Sequence, residues 1–176
     1  VVANFREGYG EYLNSLEDVK VDVSSSEYYF TEGIPREKYN PELMFQNFIE
    51  ARMLRTISTD DSMIKAINNL YDNGYWIHIL TARPDWNQTC KYDTYTWLAK
   101  SGLKFHRVSF SPEKMIWAAK SKYYDSNSIF CAVDDSPKHS REYAKHGIKV
   151  ITPKKSYNSE LNNVDNVWVV ENGDEV

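Results

Sequence analysis

The sequence predicts an α/β protein: a doubly wound, mainly parallel sheet with helices on both faces and a small helical cap. Two observations carry this. From about residue 58 onward, short apolar runs of strand length alternate with amphipathic stretches of helical period, the pattern of successive βα units. Between residues 17 and 58 the pattern changes, to a polar stretch rich in Ser and Tyr followed by one strongly amphipathic helix. The expected organisation is a core formed by residues 1–16 and 59–176, with residues 17–58 as the cap.

Residues 1–16 read as helical. Pro41 opens the cap helix, where Met44, Phe45, Phe48, Ile49 and Met53 make an apolar stripe. Asp60, Asp61 and Ser62 offer caps for a helix in which Met63, Ile67 and Leu70 share one face, and Gly74 closes it. A strand over 76–80 comes next, then a loop, then a helix through Tyr95, Trp97 and Leu98 that stops at Gly102. A short strand near 108–110 leads to a helix opened by Ser111, Pro112 and Glu113. The last part holds a strand over 129–133, a helix over 141–145 ended by Gly147, and strands over 148–151 and 167–170.

Composition narrows the function. The 176 residues are 41% hydrophobic and 26% charged, enough for one core and excluding collagen-like and disordered classes. With 21 Lys and Arg against 25 Asp and Glu, the net charge of -4 leaves no broad cationic face for wrapping nucleic acid. Apolar runs of strand length fall far short of the roughly 20 residues that span a bilayer, so no membrane partner is expected. The opening VVANFREGYG lacks the marks of a secretion signal and only Cys90 and Cys131 are present, which points to a soluble, cytoplasmic protein with reduced thiols.

In a parallel sheet, ligands bind at the carboxyl ends of the strands. Three places there carry chemistry: Thr81 and Arg83 after the strand over 76–80, Asp134 and Asp135 after the strand over 129–133, and Lys114 at a helix start between them. A hydroxyl, an ammonium and paired carboxylates are what a phosphate with a divalent metal requires. Each has a plainer reading: a Thr after a strand is commonly a turn residue, adjacent aspartates a solvated turn, a lone Lys a surface group. Adjacent carboxylates at a strand end repel, however, and a shared cation relieves this. Lys120 and Lys122 compete with Lys114 for the cation's role, and His78, His106, His139 and His146 show no metal-ligand spacing with the cysteines. There is no phosphate-binding Gly-x-x-x-x-Gly-Lys loop, no Gly-x-Ser-x-Gly elbow and no Cys-x-x-Cys.

Taken in this order, the segments resemble the haloacid dehalogenase superfamily of phosphotransferases. GYWIHILTARPD is similar to its second motif, with Thr81 in the phosphate-binding position, and IFCAVDDSPKH to its fourth, with Asp134 and Asp135 as magnesium ligands. Lys114 stands in the position of the third-motif lysine. The resemblance spans about residues 60–152 and implies a Mg2+-dependent reaction in which an aspartate attacks phosphorus and the aspartyl-phosphate is released by water. The first motif, Asp-x-Asp-Gly after an apolar strand, is not found: Asp22, Asp60, Asp61 and Asp174 all fail on context. VVANFREGY resembles the segment immediately after that motif in 5'(3')-deoxyribonucleotidases and related phage phosphatases, so the nucleophile is expected on a strand upstream of Val1.

The resemblance implies a small phosphomonoester substrate, a nucleotide 5'- or 3'-phosphate. Tyr28, Tyr29 and Trp86 are the aromatics expected against a base, with Arg83 beside them as a substrate contact; Phe30 and Phe45 are further aromatics of the cap, and Arg52 and Arg55 are cations that could reach a phosphate. Two alternatives stay open. Residues 74–151 also resemble the phosphatase half of phage polynucleotide kinases, which act on a nucleic-acid 3' end, and a catalytically inactive domain of the same fold would serve binding or structure.

Overall fold

The computed structural model describes residues 1–30, 32–120 and 128–176. It is a mixed α/β fold of short parallel sheets and helices: α1 (Phe5–Asn14), α2 (Pro41–Glu50), α3 (Asp61–Asp72), β1 (His78–Thr81), α4 (Gln88–Lys100), β2 (Arg107–Phe110), α5 (Lys114–Lys120), β3 (Ala132–Val133), α6 (Pro137–Lys145), β4 (Val150–Pro153) and β5 (Val167–Val170). Short 3-10 turns lie at Met53–Arg55, Ser159–Asn163 and Gly173–Glu175.

Local chemistry sets the helix ends. The Asn40 side chain accepts the Glu42 and Leu43 N–H groups and Pro41 fills the first turn of α2, Asp60 caps α3 through Met63 N, and Asn87 caps α4 through Cys90 N at 2.9 Å. Each cap is worth about 1 kcal/mol against Ala. Gly74 and Gly102 follow α3 and α4 with φ of +88° and +72°, a left-handed turn that an L side chain resists. The helix expected over 1–16 is shorter at its start. Residues 1–4 instead run beside residues 58–60, where Asp60 N donates to Val2 O at 2.9 Å and Asn4 N to Ser58 O at 3.0 Å.

Every ladder between named strands is parallel. β1 pairs with β2 from His78↔Arg107 to Thr81↔Phe110, and β4 sits between β3 and β5. Among the described residues, β1 is laddered only to β2 and β3 only to β4, so the strands form two sheets where the sequence suggested one. β3 is also shorter than the expected 129–133: only Ala132 and Val133 are laddered, and the ring of Phe130 is 59% exposed.

Two main cores lie against these sheets. Phe48, Ile49, Leu54 and Ile57 pack with Ile64, Ile67, Trp97 and Leu98 and against Ile79 and Val108 of the first sheet. Met115, Ala118, Tyr143, Ala144 and Ile148 pack with Val150 of the second. Met44 joins a third cluster with Leu13, Val19 and Val21. Thus α2, inside the segment expected as a cap, buries one side against α3 and α4 and another against α1 and the loop after it. A fully buried Phe such as Phe48 contributes roughly 2–3 kcal/mol. Trp97 Nε1 donates to Ile57 O at 2.7 Å, which ties the end of this segment to α4. Among the described residues, no helix is long and apolar enough to cross a membrane.

Candidate active site at the carboxyl ends of two parallel sheets

The carboxyl ends of β1, β2 and β3 deliver the candidate residues. Parallel register sets Phe110 beside Thr81, and Ser111 N donates to Thr81 O at 2.8 Å just beyond the ladder. Three residues further on, α5 begins at Lys114. Its Nζ lies 2.7 Å from Oδ2 of Asp134, the first residue after β3, with the two side chains only 15% and 4% exposed. A single side chain thus joins the ends of the two sheets. Oδ1 of Asp134 accepts the Ser136 N–H at 3.0 Å, so both oxygens of this buried carboxylate have donors.

Asp135 is held differently. Its Oδ1 lies 3.2 Å from the Val1 amine, and its Oδ2 accepts the Tyr157 hydroxyl. Burial alone would raise this carboxyl, and the hydrogen bond from the Tyr157 hydroxyl favours its charged form. Burial and the neighbouring carboxylate push the Tyr157 hydroxyl far up, so it stays protonated and remains a donor. The backbone beneath the pair is pinned as well. Ser140 Oγ donates to Asp134 O at 3.1 Å, and Asn158 Nδ2 to Asp135 O at 3.2 Å and to Pro153 O at 2.9 Å.

Tyr28 comes over this pair from the loop after α1. Burial, then Asp135 and Asp134, push its hydroxyl up to about 12, against a hydrogen bond to Ser136 that lowers it. Its ring meets Tyr157 edge-on with centroids 5.3 Å apart and Tyr29 at 4.8 Å. Arg6 of α1 fixes that loop: Nε donates to Val23 O at 2.8 Å, Nη1 to Tyr28 O at 3.1 Å and Nη2 to Ser25 Oγ at 3.0 Å. The guanidinium also lies 4.3 Å from the Phe30 ring centroid and 5.2 Å from that of Tyr157.

Lys114, Asp134, Asp135 and Tyr28 therefore come together. Strand register places Thr81 beside Phe110, four residues before Lys114, and Thr81 Oγ1 accepts the Arg83 N–H at 3.3 Å. The Arg83 guanidinium turns to α4 instead, where Nη1 donates to Thr94 Oγ1 at 3.2 Å. Tyr29 and Trp86 are each 72% exposed. Lys120 lies exposed at the end of α5, and Lys122 lies outside the described residues. Tyr157, Asn158 and Ser140 were not foreseen. The first two lie four and five residues past the end of β4, too far along a polar loop for a reading of strand ends to single them out.

Among the described residues no group of three or more His, Cys, Asp and Glu gathers in metal-binding fashion. Two carboxylates still suit magnesium, which keeps several waters and takes one or two protein carboxylates plus phosphate oxygens. Asp134 and Asp135 are hard oxygen donors, and Asp134 already draws the cation Lys114. The donor set fits the ion. No family model and no curated protein sequence matches the chain.

Proposed function

We propose that the protein is a magnesium-dependent phosphomonoesterase of the haloacid dehalogenase type, acting on a nucleotide 5'- or 3'-phosphate through an aspartyl-phosphate. The observation that supports it most is the buried Lys114–Asp134 pair at 2.7 Å, which brings a cation and a metal-competent carboxylate to strand ends that also carry Thr81. A cation beside carboxylates at such a place serves phosphoryl chemistry, because the transferring group carries negative charge that must be offset as its bond to the leaving oxygen breaks.

In this reading the Thr81 hydroxyl donates to a phosphoryl oxygen and Lys114 turns its ammonium from Asp134 toward the same group. Asp134 and Asp135 hold magnesium, which when bound neutralises phosphoryl charge. Tyr157 and Asn158 keep Asp135 in place. Asp134 pairs with Lys114, Asp135 accepts the Tyr157 hydroxyl, and in this reading both hold the metal, so the attacking carboxylate is a third one. Among the described residues β1 and β3 are each laddered on one side, and a strand between them that carries this carboxylate would join the two sheets into one doubly wound sheet. The aspartate oxygen forms a bond to phosphorus as the nucleoside alkoxide leaves and takes a proton; water then cleaves the aspartyl-phosphate to free phosphate and the original carboxylate. The protein from its full reading frame, assayed with magnesium on thymidine monophosphates, should release phosphate, and Asp135→Asn should lower kcat at least about 100-fold, as loss of one charge-stabilising group does. Absence of phosphate release from the unmodified protein would leave a non-catalytic domain as the better reading.

A further inference from the structure

A cavity of about 410 Å3 is lined by Arg52, Arg55, Gln88, Thr89 and Tyr92. Beneath it Asp93 is fully buried, and Arg52 grips it through Nε at 2.8 Å and through Nη2. Arg55 lies 3.8 Å from the same carboxylate. Two guanidiniums thus face one carboxylate, which leaves a positive charge unbalanced at the cavity wall. Both arginines remain partly exposed there, at 42% and 36%, so their remaining N–H groups are open to a ligand. Arg52 holds this position in a left-handed backbone conformation, φ 62° and ψ 23°, which residues with a Cβ avoid unless surroundings impose it. Its guanidinium also lies 5.4 Å from the ring centroid of Tyr92, itself 60% exposed.

The cavity is at the same end of β1 as Thr81. The loop after Thr81 leads directly into α4, whose first turns supply Gln88, Thr89 and Tyr92, and Arg83 spans the step with its backbone on Thr81 and its guanidinium on Thr94. We propose that Arg52 and Arg55 form a second anion subsite that takes a further phosphate of the substrate, so that the preferred substrate carries two phosphate groups on one nucleotide unit or on neighbouring ones. Arginine forks match phosphate oxygens in pairs, and the Tyr92 face offers a base a surface to stack on. This rests on the phosphatase reading for the first phosphate, while the subsite itself rests on the arginines and the cavity. The acidic chain as a whole makes such a local cationic cavity the place where a polyanion's second charge is met.

The test is calorimetric binding to the magnesium-loaded protein with three probes: thymidine 5'-monophosphate, thymidine 3',5'-bisphosphate and 3'-phosphorylated dithymidylate. One of the two probes with two phosphate groups should bind about tenfold tighter than the monophosphate, and which one does so identifies whether the second phosphate sits on the same nucleotide or in the adjoining linkage. Arg55→Gln should erase that advantage and leave the monophosphate affinity unchanged; Arg55 is chosen because its looser contact with Asp93 spares the buried pair. Thr89→Glu, which places a carboxylate in the cavity without touching Asp93, should have the same effect. Equal affinity for all three probes, an advantage that survives both variants, or an equal loss for every probe would overturn the subsite. Lys114→Met separates the two ideas: a monophosphate affinity indifferent to it counts against the phosphatase reading alone, because the Arg55 test is read on the difference between probes.

Discussion

Lys114 and Asp134 form an ion pair at 2.7 Å that joins the start of α5, just after β2, to the end of β3, across two sheets that share no ladder among the described residues. With side chains 15% and 4% exposed, the pair is largely removed from water, and its partners hold each other in place of solvent. It is both a structural tie between the two sheets and the electrostatic centre of the candidate site.

Breaking one side of that pair should cost more than removing both. Lys114→Met leaves a carboxylate buried without its cation, a loss of about 3 kcal/mol. Lys114→Met with Asp134→Leu should recover most of it, because no charge is then left stranded. Urea midpoints of the two single variants and the double variant measure the coupling. Lys120→Met, at an exposed helix end, should move the midpoint by less than about 0.5 kcal/mol. Additive effects of the two single changes would show that the pair contributes nothing beyond its separate members.

Arg6 should govern the order of the loop that bears Tyr28. Its guanidinium ties Val23, Ser25 and Tyr28 to α1 and stacks on Phe30. Arg6→Ala should speed amide hydrogen exchange in residues 23–28 by tenfold or more while leaving β5 and α6 unchanged, since local openings follow local contacts. Uniform acceleration across the chain would instead make Arg6 a global stabiliser.

Acid should destabilise the fold through His78. Burial and then Arg107 pull its imidazole from 6.5 down to about 4. The folded value is the depressed one, so neutral His78 favours the folded state above pH 6.5, and that stability is lost as pH falls toward 4. Denaturant midpoints should drop across this window, and His78→Gln should flatten the drop. An unchanged slope in that variant would move the acid sensitivity to another group.

Much of the fold is legible in the residues themselves. Pro41 after the capping Asn40 fixes the start of α2, and the apolar run of β5 over Val167–Val170 stands where its pattern says. Legibility fades where the outcome depends on partners distant in sequence. The five apolar residues 129–133 give a ladder of two, Ala132 and Val133 against Val150 and Ile151. Val1 to Asn4, helical by pattern, instead gives its backbone hydrogen bonds to residues 58–60. In the site, Thr81, Lys114, Asp134 and Asp135 carry a local signature of strand end or helix start. Tyr157 and Arg6 do not, since a Tyr in a polar loop and an Arg on a helix gain meaning only from the Asp135 and Tyr28 they meet. Arg83 comes close after Thr81 in sequence, yet its length lets it reach Thr94, which spacing alone does not foretell.

Tyr157→Phe isolates the support of Asp135. Removing one hydroxyl leaves ring packing against Tyr28 intact, while Asp135 loses a hydrogen bond to a buried charge worth about 1.5–3 kcal/mol. We expect weaker magnesium dependence of binding, seen as a higher magnesium midpoint for thymidine monophosphate binding, with little change in far-ultraviolet circular dichroism. An unchanged midpoint would separate Asp135 from the metal.

The most direct measurement is phosphate release from thymidine monophosphates by the protein from its full reading frame, with and without magnesium, alongside Lys114→Met and Lys120→Met. We predict turnover that requires magnesium, is lost in Lys114→Met by at least about 1,000-fold and is unchanged in Lys120→Met. Turnover that persists in Lys114→Met, or that proceeds equally well in a metal chelator, would contradict the assignment of this site to phosphoryl transfer.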